Sequence, residues 1–302
     1  MALAASALFL YGANGCFMAE ILDGKALAQK VRQEIKEIIA ADGALSARPP
    51  CLALILVGEN EASACYVALK AKMAAKAGIK TREIPLPAAA AESALIAIIE
   101  ELNSDPAVDA ILLQLPLPAH INTSKMLAAI SPQKDVDGFH PYNVGLLHMG
   151  LSGIQPCTPR GIMALLAEYK LKVAGQRALV IGRSKIVGTP MSALLKRADA
   201  TVTLAHSKSQ NLRELIAEAD IVVSAAGQAG LVHGSMLKSG AIVIDVGQNY
   251  GSDGTLCGDV DFISAKEVAA YITPVPGGVG PLTIAFLLKN TLELRLEYGQ
   301  KE

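Results

Sequence analysis

The chain has 302 residues, 52% of them apolar and 18% charged, with a formal net charge of −1. That length is more than one core needs and suits two domains, and the apolar share excludes a disordered chain. No basic cluster points to nucleic acid and no charge block to an interaction tail, so a small metabolite is the expected partner.

Residues 1–17 hold an apolar run with no Lys or Arg before it. It is shorter than the roughly 20 residues a membrane-spanning helix needs. A second methionine, Met18, stands directly before "AEILDGKALAQKVRQEI", where helical periodicity begins. The expectation is that the native protein starts at Met18 and that residues 1–17 are a leader outside its fold. Cys16, Cys51, Cys65, Cys157 and Cys257 are odd in number and scattered, without C-x-x-C or C-x-x-H spacing. They read as reduced thiols of a cytoplasmic protein, with no metal site.

From Asp23 the pattern predicts a helix with Leu27, Val31, Ile35 and Ile38 on one side. "CLALILVG" reads as a buried strand, followed by a helix containing Tyr66 and Lys70. An extended "KTREIPLP", a helix near Glu92 to Leu102 and the strand "VDAILLQLPLP" come next. Strands alternating with helices predict a parallel sheet. "SPQKDVDGFHPYNVG" reads as a turn-rich loop closing this first unit, residues 18–139. The second, residues 140–280, runs helix "TPRGIMALLAEY", strand "RALVIG", helix "GTPMSALLKR", strand "ATVTLAH", helix "NLRELIAEA", strands "DIVVSAAG" and "AIVIDVG". This order is that of a Rossmann dinucleotide-binding domain. The Gly/Pro loop "TPVPGGVGPLT" then feeds a long helix, expected to be amphipathic, with Pro281 in its first turn.

Four features carry candidate chemistry. Tyr66 and Lys70, four residues apart on one helix, can project together into a cleft, or Lys70 can simply snorkel beside a half-buried ring. Gln114 ends an apolar strand at the edge where α/β sheets bind ligands; a structural partner would satisfy it equally well. Asp137 in "KDVDGFHP" is either a ligand or a turn residue. The turn "IGRSKIVGTP", Ile181 to Pro190, lies between a strand and a helix whose N-terminus would attract an anion, although it is neither G-x-G-x-x-G nor a P-loop. An NAD site places an acid at the end of the next strand, but "AHSKS", Ala205 to Ser209, has none. Arg183, Ser184 and Ser207 could instead bind a 2′-phosphate, which favours NADP; Arg183 could also be a solvated loop residue.

In order, Y-x-x-x-K, "QLPLP", "KDVDGFHPYNVG", "PCTPRGI", "GRSKIVGTPM" and "TPVPGGVGPLT" closely resemble the bifunctional methylenetetrahydrofolate dehydrogenase/methenyltetrahydrofolate cyclohydrolase family, from Met18 almost to the C-terminus. The resemblance implies two α/β domains, with residues 281–302 returning to the first, folate-binding one, and a homodimer formed through the NADP-binding domains. It implies that Lys70 is catalytic, that Gln114 hydrogen-bonds to it and that Tyr66 stacks on or aligns the pterin. Asp137 would hold the pterin, and Pro276, Gly277 and Gly278 would lie beside nicotinamide and folate. Gly182, Arg183, Ser184, Ile186, Gly188 and Ser207 would form the NADP site. The implied partners are one-carbon derivatives of tetrahydrofolate. A short-chain dehydrogenase, which also uses Y-x-x-x-K, is excluded because there the glycine turn precedes the tyrosine. A non-catalytic folate- or NADP-binding paralogue is the alternative.

Overall fold

The structure is a computed structural model that describes residues 18–251 and 254–299, so the expected leader lies outside the described residues. The chain forms two compact units, and both are discontinuous in sequence. One comprises residues 25–164 and 281 onward, the other the residues up to 24 together with 165–280.

Strand β1 (Glu20–Ile21) belongs to the second of these units. The first opens with α1 (Gly24–Ala41), whose buried side is Leu27, Ala28, Val31, Ile35 and Ile39. Ile38, expected on that side, is 46% exposed. At about 100° per residue Ile38 falls between Leu27 and Val31 on the helical wheel, so its exposure does not follow from helical phase. The short α2 (Gly43–Ala47) follows, capped by the Asp42 carboxylate. Next come β2 (Cys51–Val57), α3 (Glu61–Lys76), β3 (Lys80–Leu86), α4 (Glu92–Ser104), β4 (Ala110–Leu113) and α5 (Thr123–Ala129).

The three strands form a parallel sheet in the order β3-β2-β4. Leu52 to Ile55 and all of β4 are buried, which is why both strands read as unbroken apolar runs. On one face Ala53, Ile55, Ile111 and Leu113 pack with Leu95, Ile99 and Leu102 of α4 and Met126 of α5. Spacings of four and three put those α4 residues on one stripe, each contributing about 1.5–3 kcal/mol by burial. Asp105 ends α4, and Pro106 directly after it has no N–H with which to continue the helix.

The "DVDGFHPYNVG" segment is not all loop. Its second half forms α6 (Pro141–Met149), with Pro141 at the first position, His140 Nδ1 accepting from Tyr142 N at 3.0 Å, and Gly150 closing it in the left-handed conformation at φ 73°. After it comes α7 (Cys157–Glu168). As a compact unit the first runs to residue 164. Asn143 Nδ2 donates to Pro132 O at 3.0 Å and Asp135 Oδ2 at 2.9 Å, which ties α6 to the loop that follows α5.

The other unit contains β5 (Arg177–Ile181), α8 (Gly188–Arg197), β6 (Thr201–Ala205), α9 (Leu212–Glu218), β7 (Ile221–Ser224), β8 (Ile242–Asp245), β9 (Asn249–Tyr250), β10 (Leu256–Cys257), α10 (Phe262–Lys266) and β11 (Tyr271–Ile272). Six strands make a parallel sheet in the order β1-β11-β8-β7-β5-β6, while β9 and β10 pair separately as an antiparallel hairpin. Its core joins Leu179, Ile181, Val222 and Val243 to Ile216, Val260 and Ala265.

The last helix, α11 (Val279–Tyr298), carries Pro281 in its first turn as expected, and from Pro281 it belongs to the first unit. It is not amphipathic. Ile284 to Leu288 are buried without a break, and so are Asn290, Thr291, Leu292, Leu294 and Arg295. A helix buried on nearly all sides has no polar face to alternate with. Among the described residues no helix is long and apolar enough to cross a membrane.

Candidate functional site

Helix α3 starts at Asn60, whose Oδ1 accepts from Ser63 N at 2.9 Å. Its inward stripe is Ser63, Val67, Lys70 and Ala74, so Lys70 stands in a row of core positions and is only 6% exposed. Its Nζ donates to Gln114 Oε1 at 2.9 Å and lies 4.7 Å from the centroid of the half-buried Tyr66 ring. Gln114 follows directly on β4. Its backbone N–H donates to Ile55 O at 2.9 Å and its Nε2 to Leu115 O at 2.6 Å, across a loop in which Leu115–Pro116 is cis. With the nitrogen engaged there, the oxygen faces the ammonium, the only orientation a purely donating lysine accepts.

The two acids of "DVDG" differ. Asp135 is buried and accepts from His140 N at 2.7 Å and from Asn143, so it shapes the loop. Asp137 is half-buried and accepts from the Cys157 thiol at 3.5 Å. Burial pushes the Asp137 carboxyl up to about 6 against the pull of Lys70. Burial pulls Lys70 below the ordinary lysine value against the opposing influence of Asp137 and Cys157. Tyr66 is pushed up to about 12, by burial first and then by Asp137, which keeps it a neutral phenol near pH 7. A desolvated amine, an acceptor fixed upon it, a neutral phenol and a carboxylate can together bind a polar heterocycle and move protons.

The sequence pattern did not single out Cys157 or Asn290 for this site. Asn290, fully buried on α11, donates through Nδ2 to Val136 O at 2.7 Å and Gln155 O at 3.0 Å, with Cys157 Sγ 3.5 Å from the same nitrogen. Arg160 donates to Asn290 Oδ1 and binds both Glu293 oxygens at 2.6 Å. The signal available was an amide inside the apolar run "IAFLLKNTLEL", a burial that demands partners.

In the other unit, β5 is followed by Gly182, with φ 114°, where a Cβ would fall on the Ala225 carbonyl. One at Gly188 would fall on the Gly182 carbonyl, so turn and helix start are in backbone contact and only glycine fits either place. Ser184 Oγ caps α8 by accepting from Val187 N at 3.1 Å and Gly188 N at 3.4 Å. Arg183, Ser184 and Ile186 are exposed in this turn, and Ser207 is exposed just past β6, the neighbouring strand. The turn, the helix N-terminus, the cationic Arg183 and the acid-free β6 end suit a phosphorylated dinucleotide. Pro276, Gly277 and Gly278 lie between β11 and α11 in this unit, after a cis Val275–Pro276 bond, and Gly278 N donates to Pro274 O at 2.8 Å.

Residues 22–137 match the tetrahydrofolate dehydrogenase/cyclohydrolase catalytic domain, and residues 156–298 match the NAD(P)-binding domain of the same family. The chain belongs to the tetrahydrofolate dehydrogenase/cyclohydrolase family. It is 54% identical to the bifunctional protein FolD of Sorangium cellulosum (strain So ce56), over 91% of this chain and 96% of that one. Among solved structures, the bifunctional FolD methylenetetrahydrofolate dehydrogenase/cyclohydrolase of Campylobacter jejuni is 46% identical with a TM-score of 0.89, covering 91% of this chain and 98% of its own. The Trypanosoma brucei FolD, solved with NADP cofactor and inhibitor, is 42% identical with a TM-score of 0.88, covering 92% and 97%. Membership covers both units, so the family's two-domain α/β architecture is that of this chain.

Proposed function

We infer that this protein oxidises 5,10-methylene-tetrahydrofolate with NADP⁺ and hydrolyses the resulting 5,10-methenyl-tetrahydrofolate to 10-formyl-tetrahydrofolate. The observation that carries the reading is the buried Lys70 amine, 2.9 Å from Gln114 Oε1 and 4.7 Å from the Tyr66 ring centroid, in a chain of this family. Bound NADP⁺ supplies the hydride acceptor for the first reaction. Gly182, Arg183, Ser184, Ile186, Gly188 and Ser207 are the residues proposed to hold it, with Arg183 and Ser207 toward the 2′-phosphate. Pro276, Gly277 and Gly278 are assigned to the place where nicotinamide and folate meet.

In the folate unit, Asp137 holds the pterin by charge-assisted hydrogen bonds and Tyr66 aligns its ring. Oxidation then needs chiefly proximity, since the folate nitrogens carry the developing positive charge. Hydrolysis needs protons to move. Burial lowers the Lys70 pKa, which raises the neutral fraction of the amine, and Gln114 Oε1 orients it to take a proton from the attacking water and return one as the ring opens.

A homodimer through the cofactor units is part of the proposal. It is supported by β6, which ends the sheet order and pairs only with β5 among the described strands. A cytoplasmic location is supported by the free thiols Cys51, Cys65, Cys157 and Cys257. The deciding test follows NADPH formation and methenyl-tetrahydrofolate separately in one preparation. Both activities are expected, and absence of both would favour the non-catalytic paralogue.

A further inference from the structure

The cofactor unit contains two buried carboxylates that the proposed chemistry does not use, Asp245 and Asp259, which are 4% and 0% exposed. They sit at a telling place in the sheet. Strand β5 is followed by β6 on one side and by β7 on the other, so the direction of winding reverses between β5 and β7. In open parallel sheets, ligands bind outside the carboxyl ends of the strands at such a reversal. Here those ends are Gly182 and Ala225, whose backbones touch; Ala225 N donates to Ile181 O at 2.7 Å. The short segment Ala225–Gln228 therefore forms one wall of the crevice whose other wall is the Gly182–Gly188 turn.

That segment has almost no side chain with which to anchor itself. Asp259 anchors it instead. Its Oδ2 accepts from Ala226 N at 2.7 Å, Gly227 N at 3.2 Å and Ser224 Oγ at 3.1 Å, while Oδ1 accepts from Gln228 N at 2.9 Å and Asn249 Nδ2 at 2.9 Å. Three successive amides converge on one carboxylate, and all five of these partners are neutral donors. Asp259 is held in turn by Asp245, whose Oδ1 accepts from Asp259 N and Gly247 N and whose Oδ2 accepts from Val260 N, each at 2.9 Å. The spaces where Gly247 and Gly258 would carry a Cβ are filled by the Asp259 and Asp245 carboxylates respectively, so a side chain at either glycine would displace the acid.

We propose that Asp259 is a positioning residue for the dinucleotide: its carboxylate fixes the Ala225–Gln228 wall of the crevice in the shape that receives NADP⁺. The proposal rests on the function inferred above, and the two activities of that function separate it from a merely structural role. Hydrolysis of methenyl-tetrahydrofolate draws on residues of the folate unit, whereas the oxidation also needs the dinucleotide. Asp259→Asn turns one oxygen into a donor, which abandons two or three of the five hydrogen bonds whichever way the amide sits.

The measurements are KM for NADP⁺ in the oxidation, the Kd for NADP⁺ by calorimetry, and the rate of methenyl hydrolysis. For Asp259→Asn both NADP⁺ constants should rise about tenfold or more while hydrolysis stays within about twofold of the parent. NADP⁺ constants within twofold of the parent would overturn the proposal. Should that variant lose both activities, Asn249→Ala decides, since it withdraws a single donor from the same carboxylate. A rise of about threefold in KM for NADP⁺ with hydrolysis intact supports the proposal, and an unchanged KM overturns it. A parent protein without either activity would instead refute the functional reading itself.

Discussion

Lys70→Gln separates the two reactions. The carboxamide can still donate to Gln114 Oε1, the one hydrogen-bond acceptor described for the Lys70 amine. Because burial already disfavours the ammonium, removing it should change stability by no more than about 1 kcal/mol, so loss of activity will not be loss of fold. What disappears is the titrating group. Positioned acid/base groups contribute about 10²–10⁴-fold, which is about 2.7–5.4 kcal/mol of barrier. Hydrolysis of methenyl-tetrahydrofolate should fall by that factor, NADP-dependent oxidation should remain measurable, and the methenyl compound should accumulate. In the parent, hydrolysis should rise with pH as the amine loses its proton, with a midpoint below the ordinary lysine value of about 10.4. Direct hydrolysis assays across pH, corrected for the spontaneous reaction, provide the check. A Lys70→Gln variant hydrolysing at the parent rate would refute the mechanism and leave Lys70 a buried structural partner of Gln114.

Arg183→Ala should weaken NADP⁺ binding by about 1.5–3 kcal/mol through loss of a charged hydrogen bond and leave NAD⁺ nearly unaffected; equal losses, measured as Kd for each cofactor, would mean that Arg183 does not read the 2′-phosphate. Asp137→Asn should impair both activities through folate KM yet raise the melting temperature at about pH 7.5, with the gain gone below about pH 4. The sign follows from the carboxyl at about 6: between the ordinary value and 6 the folded protein keeps a proton that the unfolded chain has released, so stability falls as pH rises. Asn290→Leu strips donors from Val136 O and Gln155 O and the acceptor from Arg160. Denaturant titration should find it about 2–4 kcal/mol less stable, with folate KM raised for both reactions.

Strong periodic or continuous apolar patterns were legible without the structure: β2, β4, β5, β7 and β8 all stand where their runs predict. What escaped was encoded weakly or over long range. Helix α6 has a histidine cap, and so lacks the Ser, Thr, Asp or Asn that usually announces a helix start, although Pro141 and Gly150 marked its ends. Strands β1 and β11 are two residues each, too short for any period to register. Of the candidate site, Tyr66 and Lys70 were visible as neighbours on one helix. The contact of Lys70 with Gln114 spans 44 residues and the contacts of Asn290 with Val136 and Gln155 span 154 and 135, so spacing alone could not display them.

The path of the chain also bears on how the protein is made. Synthesis releases residues 25–164 early, yet α11, which belongs to that unit and brings Asn290 to its loops, leaves the ribosome last. The nucleotide sheet is complete only once β11 has emerged to pair with β1, some 250 residues behind it. Neither unit can finish folding on the nascent chain before most of the polypeptide exists.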